Sequence, residues 1–134
     1  MRLIPLLAAT AALGGCMYNN PQPVPRSPQA VAHLESLLAG RVAGPPVNCV
    51  QTYRADNMIT IDDNTVVFKD GGTYYRNDFQ GGGCPNLARG RAALVTRTVG
   101  TGLCRGDIAQ VLDTSTGMTI GSCVLGDFVP FRKP

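Results

Sequence analysis

The chain has no tryptophan, one histidine (His33) and one glutamate (Glu35), and its aromatic side chains are four tyrosines and four phenylalanines. With a single histidine, a Ser/His/Asp or Cys/His arrangement has to recruit His33 from near the N-terminus, which argues against nucleophilic catalysis. The shortage of glutamate beside 16 glycines and 10 prolines argues against a helical bundle and for short strands joined by turns. No Gly-Lys-Ser/Thr follows Gly81-Gly82-Gly83, so that run reads as a turn and not a phosphate loop. The cysteines lack the short paired spacing of a structural zinc site, and no metal or cofactor is expected. No apolar run approaches the ~20 residues needed to span a bilayer. The 12 basic and 9 acidic side chains nearly balance, and the arginines stand singly, so no basic stripe for nucleic acid is visible.

What is present begins at the N-terminus. Residues 1–15 hold Arg2, then a short apolar run through Leu13, then small residues, which is the pattern of a secretory signal peptide. Its ending, Leu13-Gly14-Gly15-Cys16, resembles the lipobox of bacterial lipoproteins. That resemblance implies removal of residues 1–15 and acylation of Cys16 by chains of the palmitate class, tying the protein to a membrane on its periplasmic side. Several buried chains at about 0.8 kcal/mol per CH₂ make such an anchor stable. Cleavage leaves 134 − 15 = 119 residues, one modest domain, and removes Arg2, giving 11 basic against 9 acidic side chains. Setting Cys16 aside also leaves an even set: Cys49, Cys84, Cys104 and Cys123.

The rest divides into a lipidated, Pro-rich tether over 16–26 and a β domain over 27–134. Pro21, Pro23 and Pro25 favour an extended tether of about 3 Å per residue. Ser27 and Pro28 read as the N-cap and first residue of a helix that Gly40 stops, with Val31, Leu34, Leu37 and Leu38 as its buried stripe. Strands are expected over 48–54, 58–61, 65–69, 73–79, 92–98, 107–113 and 118–125. Asp70-Gly71-Gly72 should form a tight hairpin turn with positive φ at both central residues, making 58–79 a three-stranded meander. Phe128, Val129, Pro130 and Phe131 should lid the core. The fold class is mostly β: a small antiparallel rolled sheet or barrel of about six strands with one N-terminal helix.

Four cysteines allow three pairings. A hairpin turning at Ser115-Thr116 sets Asp113 opposite Met118 and Cys123 opposite Ile108, which disfavours Cys104–Cys123. Cys49–Cys123 with Cys84–Cys104 remains, or the crossed pairing. A rolled sheet brings its first and last strands together and favours the former.

Asp56, Asp62, Asp63, Asp70, Asp78, Asp107, Asp113 and Asp127 fall mostly at turns or strand ends, where aspartate serves the backbone, and no catalytic residue is assigned. Arg105-Gly106-Asp107 carries no weight as an adhesion tripeptide.

From Leu38 the chain reads Leu-Ala-Gly-Arg-Val-Ala-Gly-Pro-Pro-Val-Asn-Cys, then Ile-Asp-Asp-Asn-Thr, Arg-Asn-Asp, Gly-Gly-Cys-Pro-Asn-Leu, Leu-Cys-Arg-Gly-Asp-Ile-Ala and Gly-Ser-Cys-Val-Leu-Gly-Asp-Phe-Val-Pro. Over residues 38–131 it resembles a group of uncharacterised proteobacterial lipoproteins with a four-cysteine domain of unknown function. The resemblance implies an envelope lipoprotein with a domain of unknown function and brings no catalytic residues with it. The first reading is therefore a non-enzymatic envelope protein whose partners are the membrane, through its lipid, and another envelope protein or a cell-wall component, with no nucleic acid. Small lipid-anchored inhibitors of lysozyme share the expected architecture and give the alternative, a ligand-binding or inhibitory barrel. Their Lys-bearing loop motif is missing: Tyr74 is followed by Tyr75-Arg76-Asn77. An internal or rim cavity of several hundred cubic ångströms would favour the ligand reading, and an interior filled by Val67, Tyr75, Ile108 and Val111 the surface-interaction reading.

Overall fold

A computed structural model describes residues 25–51, 57–97, 100 and 102–134. The signal segment, Cys16 and most of the tether lie outside the described residues, as do parts of the strands expected over 48–54 and 92–98.

Helix α1, Pro28–Leu38, starts where capping chemistry places it. The Ser27 hydroxyl accepts a hydrogen bond from the Ala30 N–H at 3.2 Å, and Pro28 occupies the first turn, where its missing N–H costs nothing. Gly40, at φ 69°, follows the last turn. The buried stripe is Ala30, Leu34, Leu37 and Leu38, not one beginning at Val31, which faces solvent. Residues 30, 34, 37 and 38 form one continuous i, i+4, i+7, i+8 row, and Val31 lies one step around the helix from it.

Ten strands follow among the described residues: β1 Val42–Ala43, β2 Cys49–Val50, β3 Met58–Thr60, β4 Thr65–Asp70, β5 Thr73–Asp78, β6 Ala92–Thr96, β7 Leu103–Cys104, β8 Ile108–Asp113, β9 Thr119–Val124 and β10 Phe128–Arg132. They pair antiparallel in three sheets, ordered β1-β10-β5-β4-β3, β2-β7 and β6-β8-β9. The mostly β class with one helix holds, and so does the β3-β4-β5 meander. The sheets do not close into a barrel.

Strand β4 explains why. Its Thr65, Val66, Val67 and Phe68 are all buried, so both faces of the strand are covered. Val66 and Phe68 face a core shared with Leu94, Val111, Leu125 and Phe128, whereas Val67 faces Ala30, Leu34 and Ile61. The large sheet is thus the middle layer between α1 and the small sheet, and a middle layer cannot roll around a single interior. Among the residues expected to fill a barrel, Val67 and Val111 are fully buried but lie on opposite sides of the sheet, Tyr75 is half-buried, and Ile108 is 61% exposed on the outer side of β8.

The β4–β5 turn has positive φ only at Gly71, 55°, and not at Gly72 as well. Glycine at the first central position is what a II′ turn requires, so the expected turn chemistry is right and the turn type differs. The C-terminal tail is no lid. It is β10, inserted between β1 and β5, with Phe128 fully buried and its ring 5.8 Å from that of Phe68. Proline is tolerated at position 130 because its carbonyl, and so its absent N–H, faces the β1 side. There regular pairing stops at Ala43 and the carbonyl accepts from the Gly44 N–H at 2.7 Å.

The cysteines pair Cys49–Cys104 and Cys84–Cys123, the crossed alternative to Cys49–Cys123 and Cys84–Cys104. Without a rolled sheet, Cys49 on β2 lies directly opposite Cys104 on β7. A bulge between Val111 and Leu112 shifts the β8–β9 register, so Cys123 faces Ala109 rather than Ile108 and points into the core. The loop carrying Cys84 runs beneath β9, where Pro85 abuts Gly121, and this brings Cys84 to Cys123.

Candidate functional site

Arg26, expected to belong to the tether, is bound to the domain. Asp62, in the turn before β4, accepts at Oδ1 from the backbone N–H groups of Asn64 and Thr65, at 2.8 and 2.9 Å. Its Oδ2 takes Arg26 Nε at 2.8 Å. The Arg26 guanidinium also donates to the Thr65 hydroxyl, which in turn donates to Asp78 Oδ1 across the β4–β5 pair. Arg76 completes the group with an Nη2–Oδ2 contact of 3.0 Å to Asp78. Two arginines and two aspartates thus clip the end of the Pro-rich segment to one end of β4. Two solvent-open clefts of about 410 and 470 Å³ flank Arg26, the first lined by Asp62, Asp63 and Pro85, the second by Arg76, Asp78 and Phe79.

Most of the aspartates are committed to structure. Asp63 Oδ1 accepts from the Ala88 N–H at 2.7 Å, and Asp107 Oδ2 from the Cys104 N–H at 2.8 Å. Asp127 faces Arg105 at 3.4 Å. Asp113 accepts from both the hydroxyl and the N–H of Ser115, and these bonds hold its carboxyl below the usual aspartate range. Arg105-Gly106-Asp107 is a turn with Gly106 at φ 89°. His33 is exposed on α1, and Asp56 lies outside the described residues.

The opposite end of β4 gathers cations. Arg41 lies with its guanidinium carbon 3.6 Å from the Tyr74 ring centroid and donates to the Gly72 carbonyl at 2.7 Å. Lys69, directly across from Tyr74, brings Nζ to 4.8 Å from the same centroid. Arg132 donates to the Thr73 hydroxyl at 3.1 Å, and Lys133 follows it. A hydrogen bond and charge from Lys69, with help from Arg41, lower the Tyr74 pKa against the opposing effect of burial. Arg41 and Arg132, which stand singly in the sequence, therefore lie at the same end of the large sheet, Arg41 on the Tyr74 face and Arg132 on the Thr73 face. Only the Lys69–Tyr74 pairing could have been read in advance, from the Gly71-Gly72 turn. Nothing local to Arg41 or Arg132 marks them, because the register of β10 against β5 and β1 is what brings them in.

A further cleft of about 420 Å³ lies on the outer side of the small sheet, lined by Val95, Arg97, Ile108 and Gln110. No helix among the described residues is long and apolar enough to cross a membrane. Comparison with protein-family profiles, with curated protein sequences and with solved structures finds no match to this chain.

Proposed function

We propose that the protein is a non-enzymatic bacterial envelope lipoprotein, acylated at Cys16, whose disulfide-bonded β domain is held off the membrane on the periplasmic side and binds another envelope component. The observation that carries this reading is the use of all four cysteines after Cys16 in two disulfides. Structural disulfides belong to an oxidising compartment, which fits an exported chain, and their pairing leaves Cys16 as the odd cysteine beside a lipobox-like sequence. The Arg26 clip supports the same reading, since it fixes where a tether would pull on the domain. The structural engagement of Asp62, Asp63, Asp107 and Asp113 favours binding over acid catalysis. The alternative of a ligand enclosed inside a barrel loses its container, because the sheets stay open and stack in layers, and a rim-bound ligand or an inhibitory role would have to use the solvent-open clefts around Arg26 or on the small sheet.

Cys16→Ser in the producing cell tests the proposal. The parent chain should fractionate with membranes and show a mature mass that begins at an acylated Cys16, whereas the variant should be soluble. Unchanged fractionation of the variant would refute the anchor, and two or more alkylatable thiols in the unreduced mature protein would refute the exported, oxidised state.

A further inference from the structure

We infer that the free edge of β6 takes up an extended segment of a partner protein as an added strand, one with an acidic side chain at each end of an apolar stretch. This names the kind of partner the envelope reading calls for and rests on that reading only for where the partner is met. In the β6–β8 pair the Thr114 N–H donates to the Arg91 carbonyl at 2.7 Å, so the bonds to β8 come from positions 91, 93 and 95. The groups that point the other way are the Ala92 carbonyl and the N–H and carbonyl of Leu94 and Thr96, while the Ala92 N–H is taken by the Arg89 carbonyl. Among the described residues no strand pairs with them. The other edge of the small sheet is occupied, because the Gln80 N–H donates to the Val124 carbonyl at 2.9 Å and Asn86 Nδ2 to the Ile120 carbonyl at 2.6 Å. The edge strands of the large sheet, β1 and β3, run only two and three residues. Strand β6 runs five, without proline, glycine or charge inside it, and such an edge is a template for another strand.

The side chains define what that strand carries. Leu94 faces the core, Ala93 and Val95 face outward, and the same alternation brings Arg91 and Arg97, both exposed, to the two ends of the outer face. Arg97 lines the cleft of about 420 Å³ together with Val95, Ile108 and Gln110. Asp107, the carboxylate in that cleft, accepts from the Cys104 N–H, and neither arginine is ion-paired among the described residues. An added strand would bring its own side chains closest to these four positions, since they are the ones not hydrogen-bonded across the new pair. Acidic residues opposite Arg91 and Arg97, about 20 Å apart along the strand, with apolar residues opposite Ala93 and Val95, complete the match. A second copy of this chain fits worse. The two-fold register that pairs the whole strand, centred on Leu94, sets Arg91 of one copy opposite Arg97 of the other at both ends, and like charges directly opposite are destabilising.

The test uses the mature chain carrying Cys16→Ser and the capped peptide Asp-Thr-Val-Thr-Val-Thr-Asp, which reads the same in both directions. Titration followed by NMR should shift the Leu94 and Thr96 amides, and hydrogen exchange should show both protected by the peptide. Lysine in place of both aspartates should weaken binding by about tenfold, and the double variant Arg91→Glu, Arg97→Glu should reverse that preference. Both arginines are exposed, so the double variant should fold as the parent does. Three results would each overturn the inference: no shift or protection at Leu94 and Thr96, binding indifferent to the end charges, or protection without peptide that grows with protein concentration, the last in favour of a second copy. Because purified protein is used, failure here leaves membrane anchoring standing, and a failed anchor leaves strand addition at β6 intact.

Discussion

The Asn77 carboxamide holds the Gly126 peptide by both of its polar atoms, donating from Nδ2 to the carbonyl at 2.8 Å and accepting at Oδ1 from the N–H at 3.0 Å. Asn77 is fully buried on β5, so its side chain serves as the pairing partner that the bend between β9 and β10 lacks. A β-carbon at Gly126 would sit 2.0 Å from the Asp78 carbonyl oxygen, which explains why that peptide can approach so closely only as glycine. Asn77→Ala strands a buried N–H and C=O and should cost about 2–4 kcal/mol, a large part of an ordinary domain stability of about 5–15 kcal/mol. Urea unfolding with disulfides intact measures this, and a loss under about 0.5 kcal/mol would show that the latch is dispensable.

The two disulfides should differ in how readily they are reduced. Cys49 is exposed and Cys104 half-buried, whereas Cys84 and Cys123 are both buried. Thiol exchange needs access of the attacking thiolate to sulfur. Mild reductant followed by alkylation and peptide mapping should label Cys49 and Cys104 first, and Cys84 and Cys123 only when the domain unfolds. Each bridge closes a loop long enough to contribute about 4 kcal/mol in the chain-entropy account, so cleaving the exposed one should lower stability while leaving the core packed. Labelling in the reverse order would contradict the burial of the Cys84–Cys123 pair.

What could be read beforehand was local. Ser27, Pro28 and Gly40 bounded the helix, and Gly71-Gly72 fixed the hairpin, because capping and turn chemistry act within a few residues. What could not be read was long-range. Strand β10 inserts between β1 and β5, which no nearby residue signals, and that insertion sets both the order of the large sheet and the placement of Arg41 and Arg132 at one end of it. The cysteine pairing failed for a related reason: the preference rested on a rolled sheet that brings the first and last strands together, whereas β2 pairs with β7 and sets Cys49 opposite Cys104. Arg26, read as tether, gave no sign that Asp62 and Asp78 would claim it.

Arg26→Gln should loosen the start of the fold without unfolding it. The pair with Asp62 is close but partly exposed, with side-chain exposures of 23% and 18%, so the stability cost should be about 1 kcal/mol rather than that of a buried pair. The local effect should be larger than the global one, because the clip holds the residue next to the Ser27 cap. Faster amide exchange in the first turn of α1, with β8 and β9 unchanged, is the expected outcome. Uniform acceleration across the domain would mean instead that Arg26 supports the whole core.

Tyr74 should ionise below the ordinary tyrosine value of about 10, and Lys69 should be the main reason. The Lys69 hydrogen bond is the largest influence, desolvation opposes it, and the charges of Lys69 and Arg41 add to the lowering. A depressed folded pKa means that, between it and the unfolded value, the unfolded chain binds more protons than the folded one. Stability from this group therefore rises with pH across that window, is fully present above the unfolded pKa, and is lost as pH falls through the folded pKa. Ultraviolet titration should resolve an early phenolate transition that Lys69→Gln moves upward, and Arg41→Gln should move it less. Equal shifts from the two substitutions, or none from Lys69→Gln, would show that the potential at this end of the hairpin is not set by the residue opposite Tyr74.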